Sequence, residues 1–172
     1  LNLQNVLADG TLSSEQRTAV ALACAFAARN ADLRDALLAD ARGAIDESWI
    51  EDAMAAASLM AMNNVYYRFR HFIQKDEYKS KPARLRMQRL AQPATNKADF
   101  ELLSLAVSAV NGCESCVRAH EEAVLKNGLT EEHVQDAIRI ASTMHAAAVA
   151  LEMAGIELPV AASVEDGTAR GS

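Results

Sequence analysis

Cys113, Cys116 and His120 stand in the order Cys-x-x-Cys-x-x-x-His. Two thiols three residues apart at the start of a helix fall within the reach a disulfide needs, so they can join and part reversibly. At 100° per residue the three side chains fall within about 60° of one another and share one helix face. If the helix begins at the first cysteine, its free N–H groups and positive end lower the thiol pKa. A neighbouring imidazole can accept or stabilise a proton there. This is what thiolate redox chemistry requires. Glu101 lies twelve residues before Cys113, and a helix hairpin can fold it back towards His120, where a carboxylate would orient the ring and raise its basicity. Spacing by itself favours a solvated first-turn acid for this residue.

Other chemistries compete for the same residues. A c-type haem attachment needs His directly after the second cysteine; Val117 stands there, so that reading fails. Zinc could take Cys113, Cys116, His120 and a carboxylate, although structural zinc usually draws two ligand pairs from separate segments and no second cysteine pair exists. The two cysteines and the histidine could also be small buried groups with no chemistry. Dithiol chemistry leads, with zinc and inert burial left open. Cys24, the third cysteine, lies in the apolar stretch Ala19–Ala28 and reads as an inert core thiol.

The elements that position these groups are helical. Of 172 residues 51% are hydrophobic and only 5% aromatic, with 3 Pro and 7 Gly. Alanine, the best helix former, makes up a fifth of the chain. The fold class expected is therefore all-α, and the length suits one domain with a proper core. Apolar residues recurring every 3.6 positions predict helices over Ser13–Ala28, Ala31–Ala41, Glu47–Phe72, Asp99–Val110, Glu114–Lys126 and Glu131–Met153, with further short helices between them. Ser13 before Gln16, Asp46 before Trp49, and Thr130 before Glu131 read as helix starts.

Sliding the chain on itself by 84 residues pairs Arg34 with Arg118, Glu47 with Glu131, Asp52 with Asp136, Ser58 with Ser142, Met60 with Met144 and Val65 with Val149, without a gap. An internal duplication is the expectation: a first repeat at about 13–73, a connector over 74–98, a second repeat at about 99–155 and a polar tail over 160–172. Opposite Glu101, Cys113, Cys116 and His120 the first half carries Arg17, Arg29, Asp32 and Ala36, so one chain holds one site.

Charge and hydropathy narrow the class. A net charge of −6 and an isoelectric point near 5.2 disfavour nucleic acid as a partner. No apolar run is long enough to cross a membrane. No basic segment leads into an apolar one as in a secretory signal, so a reducing cytoplasmic compartment is expected. His145 in an Ala-rich helix reads as a satisfied core histidine, His133 and His71 as surface residues. Asn63 and Asn64, polar in mid-helix, suggest a subunit contact or local fraying. The Arg/Lys run from Arg68 to Arg89, interrupted by Asp76 and Glu77, reads as a solvated face.

The pattern Glu101, Cys113-x-x-Cys116-x-x-x-His120, preceded by Val107-Ser108-Ala109-Val110-Asn111-Gly112, resembles the AhpD-type alkyl hydroperoxidases of the carboxymuconolactone decarboxylase-like superfamily. Met62-Asn63-Asn64-Val65-Tyr66-Tyr67-Arg68, Leu85-Arg86-Met87 and Lys97-Ala98-Asp99-Phe100-Glu101 extend the resemblance from about Leu1 to Met153. The superfamily's decarboxylase members lack the cysteine pair. The resemblance implies an internally duplicated helical subunit, a homotrimer, and reduction of alkyl hydroperoxides or hydrogen peroxide. It implies no bound cofactor or metal, and electrons from dihydrolipoyl groups on a lipoylated acyltransferase subunit. Carried over, Cys116 is the peroxidatic thiol, Cys113 the resolving one, Cys113–Cys116 the redox disulfide, and Glu101 with His120 a proton relay. An alternative within the family is a disulfide reductase that passes electrons to a partner peroxiredoxin. One position departs: some relatives have His before the second cysteine, where this chain has Ser115.

Overall fold

Capping residues and helix-breaking turns set the element order. A computed structural model describes residues 2–8 and 10–154. Among them the regular elements are α1 (Asn2–Ala8), α2 (Ser14–Ala28), α3 (Ala31–Ala44), α4 (Glu47–Ile73), α5 (Asp76–Lys79), α6 (Gln88–Ala91), α7 (Lys97–Val110), α8 (Glu114–Lys126) and α9 (Glu131–Ala154). The fold is all-α, as expected, and the six longer helices begin and end within three residues of their predicted limits. Periodicity did not reveal α1. The polar tail over 160–172 lies outside the described residues.

Ser13 closes a capping box: its Oγ accepts from the Gln16 N–H at 3.1 Å, and its own N–H donates to Gln16 Oε1 at 2.9 Å. Asn30 and Asn96 cap α3 and α7 by accepting from the N–H groups of Leu33 and Asp99. Asp46 stands at the N-cap of α4 but forms no side-chain capping bond.

The core is built around two helices. α2 is buried continuously from Ala19 to Ala25 and α7 from Asp99 to Ser108, so both are covered on every side, as a central helix must be. α2 packs on α3, α4, α7 and α9; α7 packs on α2, α4, α8 and α9. The many alanines let these axes approach closely, and Phe100, Leu22, Met60, Leu102 and Met144 fill the remaining space. Cys24 is fully buried, and loss of hydration pushes its thiol pKa up to about 12, which makes it inert at neutral pH.

Two aspartates tie the loops that lead into the central helices. Asp52 of α4 accepts from Ala94 N, Thr95 N, Thr95 Oγ1 and Arg89 Nε, fixing the segment ahead of α7. Asp136 of α9 accepts from Thr11 N at 2.7 Å, ahead of α2. Both the aspartates and the threonines stand 84 residues apart. Gly10 makes the second tie possible: its φ is 148°, and a Cβ there would sit 2.6 Å from Asp136 Oδ2. Gly10→Ala should therefore displace that carboxylate and cost about 1–3 kcal/mol. Thermal denaturation should show a midpoint lower by several degrees, at roughly 2–4 °C per kcal/mol for a domain of this size. An unchanged midpoint would argue against the Thr11–Asp136 tie.

Candidate functional site

α7 and α8 form a hairpin, and its tight turn is what brings the predicted residues together. Gly112, at φ 67°, takes the left-handed conformation the turn needs. The Cys113 N–H then donates to the Ser108 carbonyl at 3.1 Å, and Cys113 becomes the N-cap of α8. Cys116 follows in the first turn, so both sulfurs sit at the positive end of a 13-residue helix. The Cα atoms are 5.3 Å apart and the two sulfurs are bonded. Cys113 is fully buried, whereas Cys116 is 6% exposed. Cys116 opens on a cavity.

That cavity, of about 320 Å³, is also bordered by His120. Its walls are Asn63 and Tyr67 of α4, Met87 and Leu90 of the connector, and Ser115 and Ala119 of α8. Most of these surfaces are apolar. Ser115 lies 3.7 Å from Cys113 Sγ, on the buried sulfur's side.

Glu101 is not a solvated acid. It is 6% exposed, and its Oε2 lies 2.5 Å from His120 Nδ1 while Lys97 Nζ lies 2.5 Å from Oε1. Burial pushes the carboxyl towards neutrality, but the hydrogen bonds and charges of His120 and Lys97 more than reverse that, holding its pKa below the ordinary carboxylate range. An ionised Glu101 accepts the Nδ1 hydrogen, so the exchangeable end of the ring is Nε2. Nε2 lies 3.2 Å from the thioether of fully buried Met60. Neither ring nitrogen is hydrogen-bonded to a sulfur of the disulfide among the described residues. His120 and Cys116 meet through the cavity they share.

Some assignments made from sequence need correction. Asn63 and Asn64 neither fray nor face outward: both are buried beside the site. Asn64 Nδ2 donates to Ser108 Oγ and Asn111 Nδ2 donates to Asn64 Oδ1, each at 2.9 Å. Arg68 is not merely solvated, since its guanidinium donates to the Asn111 carbonyl. α4 thus holds the turn that carries Cys113. His145 is exposed rather than a core histidine, and it borders a separate cavity with Ala109 and Ser142. His71 is on the surface as expected, paired with Glu114 at 3.3 Å. Lys97 and Met60 were missed, although Lys97 stands four residues before Glu101 on one helix face. Among the described residues no three His, Cys, Asp or Glu side chains converge as a metal site.

Comparison with known proteins places the chain. Residues 76–156 match the carboxymuconolactone decarboxylase family. A protein named alkyl hydroperoxide reductase AhpD from Anaeromyxobacter sp. (strain K) is 61% identical over 155 residues, covering 90% of this chain and 83% of its own. The chain belongs to the AhpD family. The protein of the same name from Anaeromyxobacter sp. (strain Fw109-5) is 62% identical over 152 residues, covering 88% and 82%. That from Brucella suis is 50% identical over 157 residues, covering 91% and 90%. As an AhpD family member the protein is an enzyme of the oxidoreductase class, and its paired thiols are the groups suited to that chemistry.

Proposed function

We propose that the protein is a thiol-dependent peroxidase that reduces alkyl hydroperoxides or hydrogen peroxide through a Cys113–Cys116 dithiol/disulfide cycle and is recharged by dihydrolipoyl groups. One observation carries this reading: of the two bonded sulfurs at the head of α8, only that of Cys116 opens on the cavity His120 shares. In the reduced enzyme the Cys116 thiolate attacks the terminal peroxide oxygen. The O–O bond breaks, alcohol leaves with a proton, and Cys116 becomes a sulfenic acid. Cys113 condenses with it, releasing water and forming the disulfide. A dihydrolipoyl thiolate entering the cavity attacks Cys116 and expels the Cys113 thiolate. The second thiol of the same arm then frees Cys116 and closes the oxidised dithiolane.

Glu101 and His120 act on the proton. The carboxylate fixes the ring tautomer, and Nε2 takes the Cys116 proton across the cavity. Met60 holds Nε2 when the disulfide is formed. Replacing Glu101 with Gln should lower the peroxide rate at pH 7 by about 10²–10⁴-fold, the usual share of acid–base catalysis. Because hydrogen bonds and charge from His120 and Lys97 hold the Glu101 pKa below the ordinary carboxylate range, the carboxylate arm of the relay should persist as pH falls through that range and be lost only in stronger acid, where protonation of the carboxyl releases the ring. A Glu101→Gln enzyme with the wild-type pH–rate profile would remove the relay.

The test of the whole reading is steady-state turnover of cumene hydroperoxide with dihydrolipoamide as sole reductant. No turnover, with retained reduction of a partner peroxiredoxin's disulfide, would favour the second reading, an electron donor to that partner. We place the enzyme in the cytoplasm as a homotrimer. Supporting the assembly, Met54, Val65, Phe69 and Phe72 form an exposed apolar stripe along α4. Sedimentation at the mass of a monomer would refute it. No helix among the described residues is long and apolar enough to cross a membrane. The match between the two aspartate ties supports an origin by internal duplication.

A further inference from the structure

Asn63 is 4% exposed, yet its Oδ1 has no hydrogen-bond partner, and its side chain forms no hydrogen bond with another described residue. Its neighbour Asn64, as deeply buried, has both ends of its amide engaged. Buried amides are completed as a rule, because hydration lost without replacement is unfavourable. This one borders the cavity onto which Cys116 opens, one helical turn from Met60 and its contact with His120 Nε2.

We infer that Asn63 holds the substrate: its amide receives the –O–O–H end of an alkyl hydroperoxide whose apolar part lies against Tyr67, Met87 and Leu90. This deepens the peroxidase reading above and rests on it. A hydroperoxide donates through its hydroxyl hydrogen and accepts along the O–O bond, and a primary amide offers the complementary acceptor and donor. A turn of the amide about its Cβ–Cγ bond brings Oδ1, enclosed in this disulfide form, to the cavity edge, where it accepts from the hydroxyl and fixes the terminal oxygen in front of Cys116. The S–O bond then forms as the O–O bond breaks, sulfur losing two electrons and the peroxide gaining them. The departing alkoxy oxygen gathers negative charge, and an Asn63 N–H donating to it is strongest at that moment. A proton completes the alcohol. The Tyr67, Met87 and Leu90 surfaces take an alkyl group, which hydrogen peroxide lacks.

The test uses full-length Asn63→Leu, which keeps the volume and removes both hydrogen-bonding ends. Single-turnover oxidation of the reduced enzyme by cumene hydroperoxide should slow at least tenfold and up to about a hundredfold, as on loss of a donor to developing oxygen charge. Reduction of the same variant's disulfide by dihydrolipoamide, which enters the same cavity but makes no amide–peroxide contact, should slow by a clearly smaller factor than the peroxide step. The thermal midpoint should equal or exceed that of wild type, because an unbonded buried amide has been replaced by a hydrocarbon. A purely structural asparagine would instead lower the midpoint and leave the peroxide rate alone. A peroxide rate within twofold of wild type overturns the inference. Should Asn63→Leu not fold, Asn63→Ala is read by the two rates alone, since the void it leaves lowers the midpoint by itself. A wild-type enzyme that ignores cumene hydroperoxide overturns the peroxidase reading and this inference together; a wild-type enzyme that reduces it as fast as the variant does overturns this inference alone.

Discussion

Cys116→Ser should lose peroxide turnover by three orders of magnitude or more, as nucleophile removal does elsewhere. The reason is positional. Cys113 is fully enclosed, whereas Cys116 stands in the first turn of α8 with its sulfur on the cavity. An incoming peroxide meets one sulfur and not the other. Cys113→Ser should differ in kind: it should consume one equivalent of hydroperoxide, then stall with a sulfenic acid on Cys116 and no partner to condense with. Mass spectrometry after one equivalent, with a sulfenic-acid trap, locates the oxidised sulfur. Oxygen found on Cys113 of the Cys116→Ser protein would invert the assignment of roles, and normal multiple turnover by either variant would dismiss the disulfide cycle.

The second large effect concerns a residue far from the sulfurs. Asp52 is completely buried and accepts four hydrogen bonds, at 2.7–3.0 Å, from Arg89, Ala94 and Thr95. Asp52→Ala leaves a guanidinium and two backbone N–H groups facing a void, and breaking such a pair costs about 3–5 kcal/mol. At roughly 2–4 °C per kcal/mol, the thermal midpoint should fall by some 6–20 °C. The surface pair of Arg89 with Glu51, more than half exposed on the acid's side, offsets little of this. Because Arg89 lies between Met87 and Leu90, the loosened segment should also blur the cavity wall and raise KM for a bulky hydroperoxide. Chemical denaturation with the midpoint unmoved would show that the connector is held by other means.

How much of this was legible in the chain depends on the range of the interaction. The long helices were readable because periodicity and caps such as Ser13–Gln16 are local, and α1 was not, because seven residues leave little periodic signal. The cysteine pair and His120 share one helix and were readable from spacing. Glu101 could be placed against His120 only through the family resemblance, since residue spacing favoured solvent; the hairpin through Gly112 decides it. The burial of Asn64 and the anchoring of Arg68 do not show in the local sequence because the groups they meet lie more than forty residues away. Two adjacent asparagines in a helix of alanine and methionine signal buried polar positions, of which Asn64 finds its partners across the fold and Asn63 finds none among the described residues. His145 was misjudged because an alanine-rich helix does not itself reveal which face looks outward.

The reciprocal arrangement of Asp52 and Asp136 has a consequence for assembly of the chain. Each clasps the lead-in of the helix that forms the centre of the opposite half, so the N-terminal and C-terminal portions interlock like folded hands. Protein nicked between α5 and α6 should therefore stay associated as two fragments, held by these ties and by the packing of α2 on α7 and α9, and gel filtration of the nicked protein checks it.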